Sequence, residues 1–196
     1  AAVRPDPRSP LWGFIDKTGI MTIKPAFVSR HPPCFSEGLA AVFVASAESE
    51  KAGFIDRAGN LVIAASFDSA SSFSDGLAAV RKAEKWGFVN KKGELVIQPR
   101  FDDFQAPGFV PGLACVRQGG KWMFVDKEGA QLAGASFELA CSFKEGVAAV
   151  RSDGLWGFID TTGRETIPCR YADVGSFSEG LAPAQIVNEE LYGYID

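Results

Sequence analysis

A five-residue block, WGFID at 156 to 160, returns as WGFID at 12 to 16, AGFID at 52 to 56, WGFVN at 86 to 90, WMFVD at 122 to 126 and YGYID at 192 to 196. The intervals are 40, 34, 36, 34 and 36 residues. Self-similarity at such a period marks one small supersecondary unit copied along the chain, and a unit of that size buries too little apolar surface to stand alone. The chain is therefore read as a single array over residues 1–196 with copies centred on these six blocks, and a conventional globular core gives way to it.

Within the third copy, residues 76 to 112, three short runs rich in aliphatic and aromatic residues stand between Gly, Pro, Lys and Asp: Leu77 to Arg81, Trp86 to Asn90 and Leu95 to Gln98. These are strand signals. No stretch keeps the i, i+3, i+4, i+7 apolar spacing of a long helix. The link between second and third runs reads DKTG, DRAG, NKKG, DKEG and DTTG, starting at 16, 56, 90, 126 and 160. Asp or Asn opening such a link bonds the backbone two residues on, and Gly at its fourth place takes the positive φ that follows a type I turn. The repeated acid is thereby explained as turn chemistry. Shorter polar links, KAEK at 82 to 85 and SDGL at 152 to 155, predict a second hairpin in each copy, so the unit is a three-stranded antiparallel meander. Pro25, Pro99 and Pro168 read as ends of the third strand, because proline supplies no ladder donor.

Of 16 phenylalanines, all but Phe43 and Phe104 recur at fixed places in the copies. Rings fixed at one place in every copy predict a stacked ladder between copies, in which each unit covers its neighbour's apolar face, and each buried Phe contributes roughly 1.5 to 3 kcal/mol. Trp12, Phe14, Phe54, Trp86, Phe88, Trp122, Phe124, Trp156, Phe158 and Tyr192 are the expected structural core of the repeat. The Gly beside the block's aromatic leaves room for a neighbouring backbone, and Met123 breaks that rule in the fourth copy.

The fold class is all-β: about five to six meander repeats of 34 to 40 residues. An open twisted superhelix suits a chain that opens with a repeat-like AAVR and stops at Asp196 directly after a block, as a fragment of a longer array would. The alternative is a closed five-bladed, propeller-like ring.

The blocks LWGFIDKTG, KWGFVNKKGELVIQPRFDD and LWGFIDTTGRETIPCRYAD, each joined to an FSEGLA or FKEGVA segment, resemble the WG-repeat family, also called KWG repeats, of mostly bacterial proteins. The resemblance implies an all-β repeat of variable copy number and a role in binding proteins or ligands. It brings no catalytic residues.

A net charge of −4 without a basic stripe excludes a general affinity for nucleic acid, and no apolar run approaches the ~20 residues of a membrane span. Cys34, Cys115, Cys141 and Cys169 fall at unrelated places in the repeat with no CxxC pair, so no metal and no cofactor is expected, and free thiols are the default. The compartment, bacterial cytoplasm or exterior, is left open.

A site must break the repeat, since a feature copied everywhere is a ladder. The crossover to the next copy is two residues longer in the first copy, at SRHPPCF, and in the third, at DDFQAPG, and the first-to-second-strand link is four residues longer at ASAESEK, 45 to 51. Loops that lengthen at matching positions form the variable edge of an array. Arg30, His31, Arg100, Asp103, Phe104 and Arg170 are the contact candidates on or beside it. The expectation is a non-catalytic protein-binding scaffold, including the binding part of a bacterial secreted, toxin-related or immunity protein. A carbohydrate or cell-wall module, with Trp and Tyr as stacking platforms, is the alternative.

Overall fold

The computed structural model describes residues 1–29, 32–45, 49–132 and 136–196. Arg30 and His31, and part of the 45 to 51 insertion, lie outside the described residues. The described residues form strands and turns only, in four antiparallel sheets of seven, four, three and six strands, each with two open ends. No helix is long and apolar enough to cross a membrane. Two compact units divide the chain, Ala1–Pro99 and Arg100–Asp196.

The five Asx links fold as their chemistry demands. Asp16 Oδ1 accepts the Thr18 and Ile20 amides at 2.8 and 3.0 Å, and Asp160 Oδ1 accepts those of Thr162 and Arg164 at the same distances. Asn90 makes the equivalent pair with Lys92 and Glu94. Gly19, Gly59, Gly93, Gly129 and Gly163 close these turns at φ between 83° and 88°, where only glycine is unstrained. The tight first-to-second-strand turns at Ala83–Glu84, Gly119–Gly120 and Asp153–Gly154 each place two residues at positive φ, matching the strands' right-handed twist.

The prolines do not end the third strands. Pro25 lies inside Met21–Val28, Pro99 inside Leu95–Phe101 and Pro168 inside Glu165–Val174. Each strand passes its proline by bulging. Trp12 pairs with Phe27 and Phe14 with Ile23, so Gly13 alone faces three residues, and Gly157 does the same between Tyr171 and Ile167. The glycine makes this possible: a Cβ on Gly13 would stand 2.6 Å from the Ile23 carbonyl oxygen, and one on Gly157 2.5 Å from that of Ile167. Where Met123 replaces the glycine, the described residues of the second strand and the following segment form no continuous ladder: they meet through the isolated bridges Trp122 to Phe137 and Val125 to Gln131, and the Leu132 amide donates to the Phe124 carbonyl at 2.8 Å. After its bulge the third strand runs on and pairs with the first strand of the next copy, as Val28 does with Phe43 and Val174 with Ala184. Sheets thus cross copy boundaries.

Phe14, Phe54, Phe88, Phe124 and Phe158 are buried. Each of four pairs with the ring that precedes its own copy's glycine turn: Phe14 with Phe35, Phe54 with Phe73, Phe124 with Phe143 and Phe158 with Phe177, at 4.7 to 5.0 Å between centroids and tilted or edge-on. The ring pair is internal to a copy, which corrects the expected ladder of rings between copies: the two rings lie about 20 residues apart in one unit and cover each other. Copies join through aliphatic residues around it, for Ile55 packs with Phe14 and Ile23 of the preceding copy, and Ile159 with Phe124 and Phe143. Glutamate adds a polar clasp at the same joints. Glu145 accepts the Glu179 and Gly180 amides at 2.9 and 3.0 Å, and Glu37 accepts the Gly76 amide and pairs with Lys91 at 2.9 Å.

The block's first position is less uniform. Trp122 is 8 % exposed, whereas Trp12, Trp86 and Trp156 are half-buried and Tyr192 is 53 % exposed. Tyr192 is therefore not core. It lies on Tyr192–Ile195, the edge strand of its sheet, and its hydroxyl donates to Asp173 at 2.6 Å.

Candidate functional site

The arginines among the contact candidates are held on rings. Arg100 stacks over Phe101 at 4.9 Å and donates to the carbonyl of Gly129. Arg170 stacks over Tyr171 at 5.2 Å and donates to its hydroxyl at 3.1 Å. Each precedes the ring it covers, so both cap an aromatic edge within their own copy. Asp103 accepts the Phe104 amide and pairs with Arg117 at 3.6 Å, while Arg117 stacks over Trp122 at 5.7 Å. Phe104, half-buried, pairs across the sheet with Val116. Asp103 and Phe104 thus share one hairpin, whereas Arg100 and Arg170 occupy equivalent, separate places in the third and fifth copies.

The Arg117–Trp122 contact follows a rule. Arg81 faces Trp86, Arg117 faces Trp122 and Arg151 faces Trp156 as cross-strand partners, and in the first copy Arg4 covers Trp12 at 5.3 Å. A second rule secures the turn beyond this pair: the acid after the third-strand ring accepts an amide of the next copy's tight turn. Asp68 takes that of Ala83 at 3.1 Å, Asp102 that of Gly119 at 2.8 Å and Glu138 that of Gly154 at 3.1 Å. The second copy breaks both rules. Its cross-strand partners are Phe43 and Ala52, and the acid's place is taken by Val28.

A cleft of about 360 Å³ opens there, lined by Val28, Ser29, Phe43, Glu50, Asp68, Ser69 and Arg81. Half-buried Val28 and Phe43 give it an apolar wall, and the other five give it a polar one. One end is fixed by the Trp12 indole, which donates to the Ser29 carbonyl at 3.0 Å. Asp68 is committed: Lys51 bonds one carboxylate oxygen and Ala83 the other, and the Lys51 contact leads in holding its carboxyl below the ordinary range. Glu50 is exposed, and among the described residues no hydrogen bond or ion pair holds its carboxylate. The residues of this cleft come from five strands and, with Ser29 and Asp68, from the links between them, so the sequence reading missed Glu50, Asp68 and Arg81 as a group. Its signals were nevertheless present in Phe43, off the phenylalanine pattern, and in Ala52, which departs from the block.

The four cysteines are free: Cys34 is exposed, and burial pushes the thiols of Cys115, Cys141 and Cys169 upward. The described residues contain no cluster of His, Cys, Asp and Glu suited to a metal ion.

An all-β repeat protein with a glycine-gated bulge in each regular copy is the class these features define. The family model described as WG containing repeat matches residues 12–44, 53–86, 86–122, 122–156 and 156–189, and the chain belongs to this family. No curated protein shows significant similarity to it. A solved structure described as the crystal structure of the eukaryotic initiation factor is similar with a TM-score of 0.57 at 14 % identity, over 98 % of this chain and 58 % of that one. At that identity the likeness concerns the fold alone.

Proposed function

We propose that the chain is a non-catalytic binding scaffold for a protein partner. The observation that carries this reading is how the repeated functional groups are spent. The turn acids accept backbone amides, the clasp glutamates join copies, and Arg4, Arg100, Arg117 and Arg170 lie on rings. Chemistry left for an outside molecule lies where the repeat is broken. Arginine over the Trp12 and Trp122 rings occupies a face that a sugar would need, which favours a protein partner over a carbohydrate. The setting, including a secreted, toxin-related or immunity protein of a bacterium, belongs to this proposal as its context.

The test is affinity capture with the 196-residue chain from lysate and secreted fraction of its own source, followed by binding measurements with each purified protein found. The reading expects a saturable protein partner. Enrichment of nothing beyond a control with its surface charges permuted, or saturable quenching of tryptophan fluorescence by cell-wall sugars alone, contradicts it.

A further inference from the structure

We propose that the cleft at the second hairpin is a peptide-binding site, which takes an extended segment of a partner protein presenting one apolar side chain beside a basic residue. This rests on the scaffold reading and names the part of the partner that is held. Three observations converge. First, the second copy has lost the guanidinium-on-ring pair and carries Phe43 against Ala52, so apolar wall replaces a closed polar flank. Second, Val28 stands where the regular copies carry the capping acid, and Ser29 and Ser69 line the cleft. Third, the charges there are unequal in commitment. Lys51 and Arg81 both act on Asp68, whereas among the described residues no hydrogen bond or ion pair holds the exposed Glu50 carboxylate, which is left to draw a cation.

A space of about 360 Å³ lies at the lower end of ligand pockets and admits one or two side chains. The apolar side chain of the segment lies on Val28 and Phe43, and its basic neighbour meets Glu50. Serine hydroxyls are well suited to the backbone between them. The regular hairpins cannot offer this, because an arginine and an indole occupy the corresponding wall.

The probe is a phage-displayed library of random heptapeptides panned on the full chain, with selected peptides synthesised and measured by fluorescence anisotropy. Selected sequences are expected to carry an apolar residue next to a basic one. Glu50→Gln should weaken them about tenfold, and replacing the peptide's basic residue should then cost nothing further, as for a single coupled pair. The double variant F43R/A52W, which rebuilds the pair of the regular hairpins, should abolish binding while circular dichroism stays that of the wild type. Should that variant misfold, Glu50→Gln, at an exposed position, still decides the matter. Peptides that bind Glu50→Gln as tightly as wild type overturn the proposal, as does a selection that enriches nothing. Full competition by a free apolar amino acid also overturns it, since the cleft would then hold a small molecule. If the peptides fail while a captured partner still binds both variants, the cleft assignment falls and the scaffold reading stands.

Discussion

The hairpins at 39 to 55 and 114 to 125 follow one plan and part at one cross-strand pair. In the later hairpin Arg117 lies over Trp122 and is braced by Asp103, so its flank is closed. In the earlier one Phe43 faces Ala52, and a cleft opens beside it. Both keep the buried ring pair beneath, Phe54 with Phe73 at 4.9 Å and Phe124 with Phe143 at 4.7 Å. The difference teaches that the repeat separates stability from recognition. The inner ring, the bulge glycine and the turn acid hold a copy together, while the outer pair can be exchanged without loss of the hairpin.

The largest effect should come from the part both hairpins share. Phe54→Ala and Phe124→Ala remove rings that are 0 % and 2 % exposed, and each should cost about 3 to 5 kcal/mol in chemical denaturation. A much milder Phe54→Ala would break the comparison, since the second hairpin would then be peripheral to its unit. Next in size is the bulge. A Cβ on Gly53 meets the Ile63 carbonyl oxygen at 2.7 Å, so Gly53→Ala should cost about 1 to 3 kcal/mol and lower the midpoint of thermal unfolding by several degrees.

The outer pair should matter little to stability. Arg117→Gln removes a stacking contact and an ion pair whose side chains are both more than 40 % exposed, and about 0.5 to 1 kcal/mol is expected from denaturation curves. A loss comparable to that of a core ring would show that the pair is structural after all, and would make its absence from the second hairpin harder to explain.

The smallest effect is on pH. The carboxyl of Asp56 is held below its ordinary value of 3.8, first by the Asn60 side chain and then by backbone amides, and Asp16 and Asp160 are lowered in the same manner by the hydroxyls of Thr18 and Thr162. A carboxyl with a depressed folded value contributes stability that is present above about pH 4 and is lost as pH falls through that folded value. The Asn90 turn does not titrate. Asp56→Asn should therefore differ from wild type at neutral pH, with the gap in unfolding midpoint narrowing as pH falls from about 6 to about 2.

Much of this plan was legible in the sequence because its causes are local. The Asx turns, the hairpins and the phenylalanine positions depend on residues a few places apart, and the structure repeats them copy after copy. The prolines misled because a lone proline gives no hint of the glycine facing it across the sheet, and the two together turn a strand end into a bulge. Arg100 and Arg170 stood on the expected edge, yet the direction of a long side chain is set by the neighbouring ring, which spacing does not report. Tyr192 shares the block's pattern, yet on its edge strand it is 53 % exposed and bonds Asp173 through its hydroxyl. The cleft needed Val28, Glu50, Asp68 and Arg81 brought together from distant strands, and only Phe43 and Ala52 marked it in advance.

Amide hydrogen exchange of the chain with and without a captured partner tests the central claim most directly. The account predicts that added protection gathers at Val28 and Ser29, Phe43, Glu50, Asp68 and Ser69, with the hairpins of Trp86, Trp122 and Trp156 unchanged. Protection spread evenly over those three tryptophan hairpins, with the second hairpin unaffected, would contradict it.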